Sequence, residues 1–181
     1  MTLTELVVAL SVIAILMTLS SASFSGFLSK RNITGSTNLI GAFFDNVKME
    51  AAKRNSWVTI TYDEGGGNWC FGAQLGKHQT CDCLAAPETT DCKLDAGGDS
   101  FILSNTSSPG FADLLITIGL IENDHFDVNP VRGTLSHSTK VKIEITDQSQ
   151  ASRVNIAVTP TGRVTKCTPS DQHLSGFQTC I

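Results

Sequence analysis

From Met1 to Ser29 the chain carries one charged side chain, Glu5, inside an otherwise apolar run, MTLTELVVALSVIAILMTLSSASFSGFLS. A stretch of about 20 apolar residues is long enough to cross a bilayer as a helix. A lone carboxylate in such a helix is costly, about 2.5–3.5 kcal/mol at its centre on insertion scales, so Glu5 calls for a partner. A secretory signal peptide would open with basic residues and close on a small-residue cleavage site. This segment has no basic start. A plain anchor accounts for the length and leaves Glu5 unexplained.

The run TLTELVVALSVIAIL resembles the N-terminus of mature type IV pilins and pseudopilins, with Glu5 on the family's glutamate. The resemblance implies that residue 1 is the mature terminus. Met1 then stands where prepilin peptidase exposes and N-methylates the terminal residue. It also implies two uses for residues 1–29: an inner-membrane anchor before assembly, and a filament core afterwards among other pilin or pseudopilin subunits. In that core Glu5 would meet the terminal amine of a neighbour. Such a pair is favourable in a water-poor setting only when both charges are present, so it fixes the axial register of subunits. Ala22 stands where many major pilins have a proline. The residues that weaken the helix nearby are Gly26, Gly35 and Gly41, at about 1 kcal/mol each relative to Ala.

The residues beyond the apolar run, about 150, suit one globular domain, 30–181. A net charge of −4 excludes a strongly basic protein, and frequent Gly with few aromatics suits a loop-rich β domain. Six cysteines outside the apolar run point to an oxidising compartment, the periplasm and then the cell exterior. Lys30 and Arg31 would lie on the outer side, against the positive-inside bias.

Within the domain, Ile33, Ile40, Phe44, Val47 and Ala51 recur at helical spacing, and Phe43 widens the face. The amphipathic helix half is assigned to 30–55, with Lys48, Lys53 and Arg54 on the other side and in the last turn. The β domain is assigned to 56–181. Period-two alternation predicts strands at 58–62, 141–146 and 154–158. A hairpin follows the first, with a turn over 63–68 and a return strand over 69–75. Residues 100–104 form a further short strand, and 111–120 is equally consistent with helix or strand. Residues 124–128 and 132–135 flank a Pro-containing break. The expected fold class is α+β: a long N-terminal helix packed on an antiparallel β domain with disulfide-closed loops, as in the pilin-like fold.

FDVNPVRGT and VTPTGRVTKC resemble the C-terminal part of FimT/GspH-type minor pilins and pseudopilins, through Phe126, Pro130, Gly133, Gly162 and Arg163. That resemblance implies a minor pilin that primes assembly or sits at a pilus tip. A type II secretion pseudopilin, a DNA-binding minor pilin of a transformation pilus and a main fibre subunit are the alternatives. Some FimT-like proteins bind DNA through basic residues after Gly-Arg. Here these would be Arg163 and Lys166, joined by Arg153, Arg132, Lys140 and Lys142, with steep salt dependence.

A bridge between Cys167 and Cys180 would close an otherwise loose terminal loop, as type IV pilins often do. Cys70, Cys81, Cys83 and Cys92 leave two pairings once the awkward Cys81–Cys83 is set aside. These are Cys70–Cys81 with Cys83–Cys92, which is favoured, or the crossed Cys70–Cys83 with Cys81–Cys92. Ten, one and eight residues separate these cysteines, unlike the paired spacing of structural zinc sites. Asp91, Asp95 and Asp99 lack the alternating acidic pattern of a calcium loop. The glycines at 65–67 lack the Lys-Ser/Thr and helix of a phosphate cradle. His78, His125, His137 and His173 share no ligand spacing, and Glu122, Asp124, His125 and Asp127 read as a solvated loop. No catalytic pattern is present, so neither an enzyme nor a metal, cofactor or small-molecule substrate is expected.

Overall fold

The computed structural model describes residues 3–85, 91–94, 98, 100–106, 114–119, 125–136, 140–147, 152–172 and 174–180, leaving out the side chains of 17–25. Met1, Glu122, Asp124, His137, His173, Asp95 and Asp99 lie outside the described residues, so the expectations resting on them have no structural counterpart here.

One helix, α1 (Leu3–Arg54), runs through both the apolar segment and the amphipathic half. Its end follows from local chemistry. Asn55 takes a left-handed φ of 48°, its N–H donates to the Ala52 carbonyl at 3.2 Å, and Ser56 N–H donates to that of Ala51. Asn tolerates this C-terminal conformation better than most residues. In the last turn Glu50 accepts from Arg54 Nε at 2.9 Å and from Lys53 Nζ at 3.2 Å. These two bonds, Arg54's first, hold the Glu50 carboxyl below its ordinary range.

Among the described residues nine strands follow: β1 (Val58–Gly65), β2 (Asn68–Leu75), β3 (Ile102–Ser104), β4 (Leu114–Gly119), β5 (His125–Val128), β6 (Val141–Asp147), β7 (Arg153–Val158), β8 (Val164–Thr168) and β9 (Gln178–Thr179). They form two sheets, ordered β3-β2-β1-β5 and β4-β6-β7-β8-β9. All pairings are antiparallel except β8 with β9. The first hairpin is tighter than expected. Asp63 and Glu64 belong to β1, and the turn shrinks to Gly66 and Gly67, both at positive φ (61° and 82°). That is the backbone a two-residue hairpin needs to match strand twist. The segment 111–120, ambiguous in sequence, contains β4.

The predicted helix face is the one that is buried: Ile33, Ile40, Phe43, Phe44, Val47 and Ala51 all enter the core. Phe44 stacks on Phe126 of β5 at 5.5 Å and meets Phe71 of β2 edge-on at 5.7 Å. Such aromatic pairs contribute about 0.5–1.5 kcal/mol each beyond their buried area. The second sheet offers Val141, Ile143 and Ile145 opposite Val158, Ile156 and Val154. Helix and both sheets thus share one core. Ser36 and Thr37 are also buried on this face, and the Thr37 hydroxyl is satisfied by the Ile33 carbonyl at 2.7 Å.

Candidate functional site

The helix changes character where it meets the β domain. Over residues 3–16 every side chain is exposed, including Leu3, Leu6, Val8, Leu10, Ile13 and Ile15. Glu5 lies within this apolar surface. Soluble monomers rarely expose a contiguous apolar surface on this scale, so it marks a site of contact with lipid or protein. Among the described residues no helix is long and apolar enough to cross a membrane. Among the described side chains, packing on the β domain begins at Ser29, whose hydroxyl donates to Asp147 Oδ2 at 2.7 Å. Asp147, buried at the end of β6, also receives the Ser152 N–H at 3.3 Å.

A second built surface lies on the outer face of the first sheet. Thr59, Thr61 and Asp63 alternate with the core residues of β1 and so point outward. Each takes a backbone N–H from a strand-like stretch laid across the sheet: Gln79 N at 3.2 Å, Cys81 N at 3.2 Å and Cys83 N at 3.3 Å. The three rungs advance two residues at a time on both sides. Asp127, fully buried on β5, anchors one end. Its Oδ1 accepts from Thr59 Oγ1 at 2.7 Å and from His78 N at 3.0 Å, and its Oδ2 lies 3.1 Å from His78 Nδ1. His78 holds φ at 59° to make this turn, and its ring meets His125 edge-on at 6.0 Å. Asp127 and His125 therefore belong to this packed surface and not to a solvated loop.

The disulfides complete the layer and correct the favoured pairing. Cys70 bonds Cys83 and Cys81 bonds Cys92, the crossed arrangement, with Cα separations of 5.9 and 5.1 Å. Spacing could not decide this. The rung of Asp63 with Cys83 sets Cys83 beside Cys70, because Cys70 is opposite Asp63 in the hairpin. All four cysteines are buried together and pack on Ile102. Gly72 makes room for them: a Cβ there would collide with Cys92 Sγ and lie 2.8 Å from Cys81 Sγ and 2.9 Å from Cys83 Cβ. With the sulfurs bonded to one another, these residues offer no free thiolate to a metal. The third bridge, Cys167–Cys180, is as expected. It staples β9 beside β8, where Cys180 N donates to the Thr168 carbonyl at 2.8 Å.

The segments FDVNPVRGT and VTPTGRVTKC, far apart in sequence, meet in space. The turn after Asn129 is capped by its own side chain, whose Oδ1 accepts from Val131 N and Arg132 N. Gly133 (φ 62°) then brings its carbonyl against Gly162 (φ 76°), where any side chain would overlap it. Leu135 N donates to the Pro160 carbonyl at 2.8 Å. Lys48 closes the junction from the helix, with Nζ 2.8 Å from the Gly162 carbonyl and 2.6 Å from Asp45. Lys48 is therefore turned toward the β domain, not to the open side of the helix.

The basic residues are divided among surfaces. Arg132 and Arg163 are exposed in the two joined turns. Lys142 and Arg153 stand on the outer face of the second sheet, where Arg153 Nε pairs with Glu144 at 3.3 Å. Lys166 is opposite Ile156 and so faces the helix, where it lies over Gly41 and donates to Asn38 Oδ1 at 2.9 Å. Lys140 is exposed just before β6.

No protein-family model matches the chain, and no curated protein matches it. Among solved structures the chain is similar to a crystal structure of the type IV minor pilin FimU of Pseudomonas aeruginosa, strain PAO1. Identity is 14%, the TM-score is 0.47, and the match covers 78% of this chain and 97% of that one. It assigns no role to any residue.

Proposed function

We propose that the chain is a structural subunit of a type IV pilus-like filament, in the manner of a FimT/GspH-type minor pilin that primes assembly or occupies the tip. One observation carries the reading: a continuous helix that packs on the β domain from Ser29 onward and whose described side chains 3–16 present an apolar surface bearing the Glu5 carboxylate. Residues 1–29 hold the monomer in the inner membrane until assembly. Prepilin peptidase processes and methylates the terminus at Met1. In the filament the helices of other subunits cover the apolar surface, and Glu5 meets a neighbour's terminal amine.

The test is electron microscopy of sheared surface filaments from native cells, with peptide identification, beside cells carrying Glu5→Ala. The native chain is expected in trace amounts for a minor subunit, and Glu5→Ala should still enter the membrane yet be depleted from filaments. Normal incorporation of Glu5→Ala would remove the register role. Abundance as the bulk protein would make the chain a main fibre subunit, and its absence from surface filaments would favour a secretion pseudopilin.

A second reading, DNA capture, draws on the junction of the two turns, which sets exposed Arg132 and Arg163 on neighbouring loops. Lys166 and Arg153 contribute less to it, since each is held by a protein partner.

A further inference from the structure

The crossed disulfides sit on a ladder that can be misread by one step. Thr59, Thr61 and Asp63 receive the amides of residues 79, 81 and 83, always twenty residues on. In an extended segment, residues two apart present the same face. A slip of two residues would put residue 81 at Asp63 and residue 79 at Thr61, which keeps two of the three rungs. It would also set Cys81 in place of Cys83 beside Cys70. The bridges then become Cys70–Cys81 and Cys83–Cys92. A one-residue slip would turn the cysteines away from the sheet, whereas this slip leaves them facing it.

Chain entropy does not reject the slipped isomer. Native bridges span 13 and 11 residues, and the slipped ones would span 11 and 9. Loop closure varies so slowly with length that the slipped pair is favoured, by less than about twofold. What favours the native register is local and late. It consists of the His78 turn held by Asp127 and the close fit of Cys81, Cys83 and Cys92 over Gly72. Both form only after the segment has settled on the sheet. Once it has, the sulfurs are buried and closed to attack.

We infer that this chain is a client of a thiol–disulfide isomerase, which acts on the slipped isomer before the segment over β1 closes. This is independent of the filament reading. The exchange balances without net oxidation. An isomerase thiolate attacks Cys81 Sγ, forming a mixed disulfide and releasing the Cys70 thiolate. Cys70 attacks Cys83 Sγ and releases the Cys92 thiolate. Cys92 then attacks Cys81 Sγ and expels the isomerase thiolate.

The experiment refolds the reduced full-length chain in detergent, with a thiol-free oxidant alone or followed by a reduced dithiol isomerase. Cleavage before Asp63, Asp82 and Asp91 separates Cys81 from Cys83. Native pairing then joins three peptides in one species, while the slipped isomer gives a looped peptide and a separate linked pair. Fragment-ion sequencing distinguishes the native species from one bridged Cys70–Cys92 and Cys81–Cys83. We expect comparable shares of native and slipped isomers from the oxidant alone, and conversion to the native species with the isomerase. Native pairing throughout without the isomerase would overturn the inference, as would a slipped isomer that the isomerase leaves unchanged. Two variants check the competition directly. With Cys83→Ser and Cys92→Ser, Cys70 should bridge Cys81 about as fast as it bridges Cys83 in Cys81→Ser with Cys92→Ser. A difference of roughly tenfold or more in favour of Cys83 would also overturn it.

Discussion

Gly72 and Gly41 are both buried glycines, and the atoms beside them give opposite expectations. At Gly72 a methyl group would press on two disulfides fixed at both ends, so Gly72→Ala should lose about 1–3 kcal/mol. At Gly41 the obstacle is the end of the Lys166 side chain, 2.8 Å from an added Cβ, which can swing away. Gly41→Ala should gain up to about 1 kcal/mol of helix propensity, less the contact between Lys166 and Asn38. Urea denaturation of both variants checks the contrast, and equal losses would contradict it. Tyr62 is the chain's one tyrosine, so its titration is read directly. Burial, then its hydrogen bond to the Glu64 carboxylate at 2.7 Å, raises its phenol well above the ordinary value. Because the folded value exceeds the unfolded one, near 10, this contribution to stability is whole below that pH. It is lost as pH rises toward the folded value. Phenolate absorbance should therefore appear together with unfolding, and a midpoint near pH 10 in a still-folded chain would refute the argument. Nothing in the sequence foretold either effect, since the surroundings of Gly41 and Gly72 and the burial of Tyr62 depend on segments distant in sequence.

The elements were legible where one face repeats. Ile33, Ile40, Phe44, Val47 and Ala51 follow helical spacing because a single side of the helix meets the sheets. Val58, Ile60 and Tyr62 follow spacing of two because one side of β1 is core. Legibility failed at residues 114–119, where Leu114 and Ile116 are buried but Leu115 is exposed and equally apolar, so the alternation is hidden. It failed again for Cys70, Cys81, Cys83 and Cys92, because pairing is settled by the register of one segment on another. Residues 79–83 looked irregular for a related reason: the amides of Gln79, Cys81 and Cys83 are satisfied by side chains of β1 rather than by a strand ladder. The Cys167–Cys180 bridge was legible because these two cysteines stand far in sequence from the other four. Cys167→Ser should cost about 3 kcal/mol, the value expected for a loop of this length. Thermal or urea melts measure the loss. Free thiols at both Cys167 and Cys180 in material from the native cell would show that the bridge does not form there.

On the scale of the whole molecule, the apolar stretch and the amphipathic stretch read from the sequence lie on one continuous helix, as the expected fold class has it. The exposed apolar residues were legible from Leu3 onward, and so was the packed face from Ile33 to Ala51. The basic surface was overestimated, because charge in a sequence carries no direction: Lys166 faces the helix, and Arg153 is paired with Glu144. If the joined turns bind DNA, Arg132→Ala with Arg163→Ala should weaken duplex binding and flatten its dependence on salt by about two phosphate contacts. Lys166→Ala should change it little. Titration of the full-length chain in detergent at several salt concentrations reads all three, and equal weakening by Lys166→Ala would dismiss the junction as the contact.

The helix leads into β1, and β1 lies between β2 and β5. Tension drawn from the N-terminal end therefore enters the first sheet through an interior strand. Pulling along such a strand loads the hydrogen bonds on both of its flanks together, in shear, whereas pulling at an edge would peel them one by one. Before that load arrives, the Ser29–Asp147 and Lys48–Gly162 contacts brace the helix against sliding. If the chain is pulled by α1, as in the proposed filament, the load would reach the first sheet through β1 and not through an edge strand.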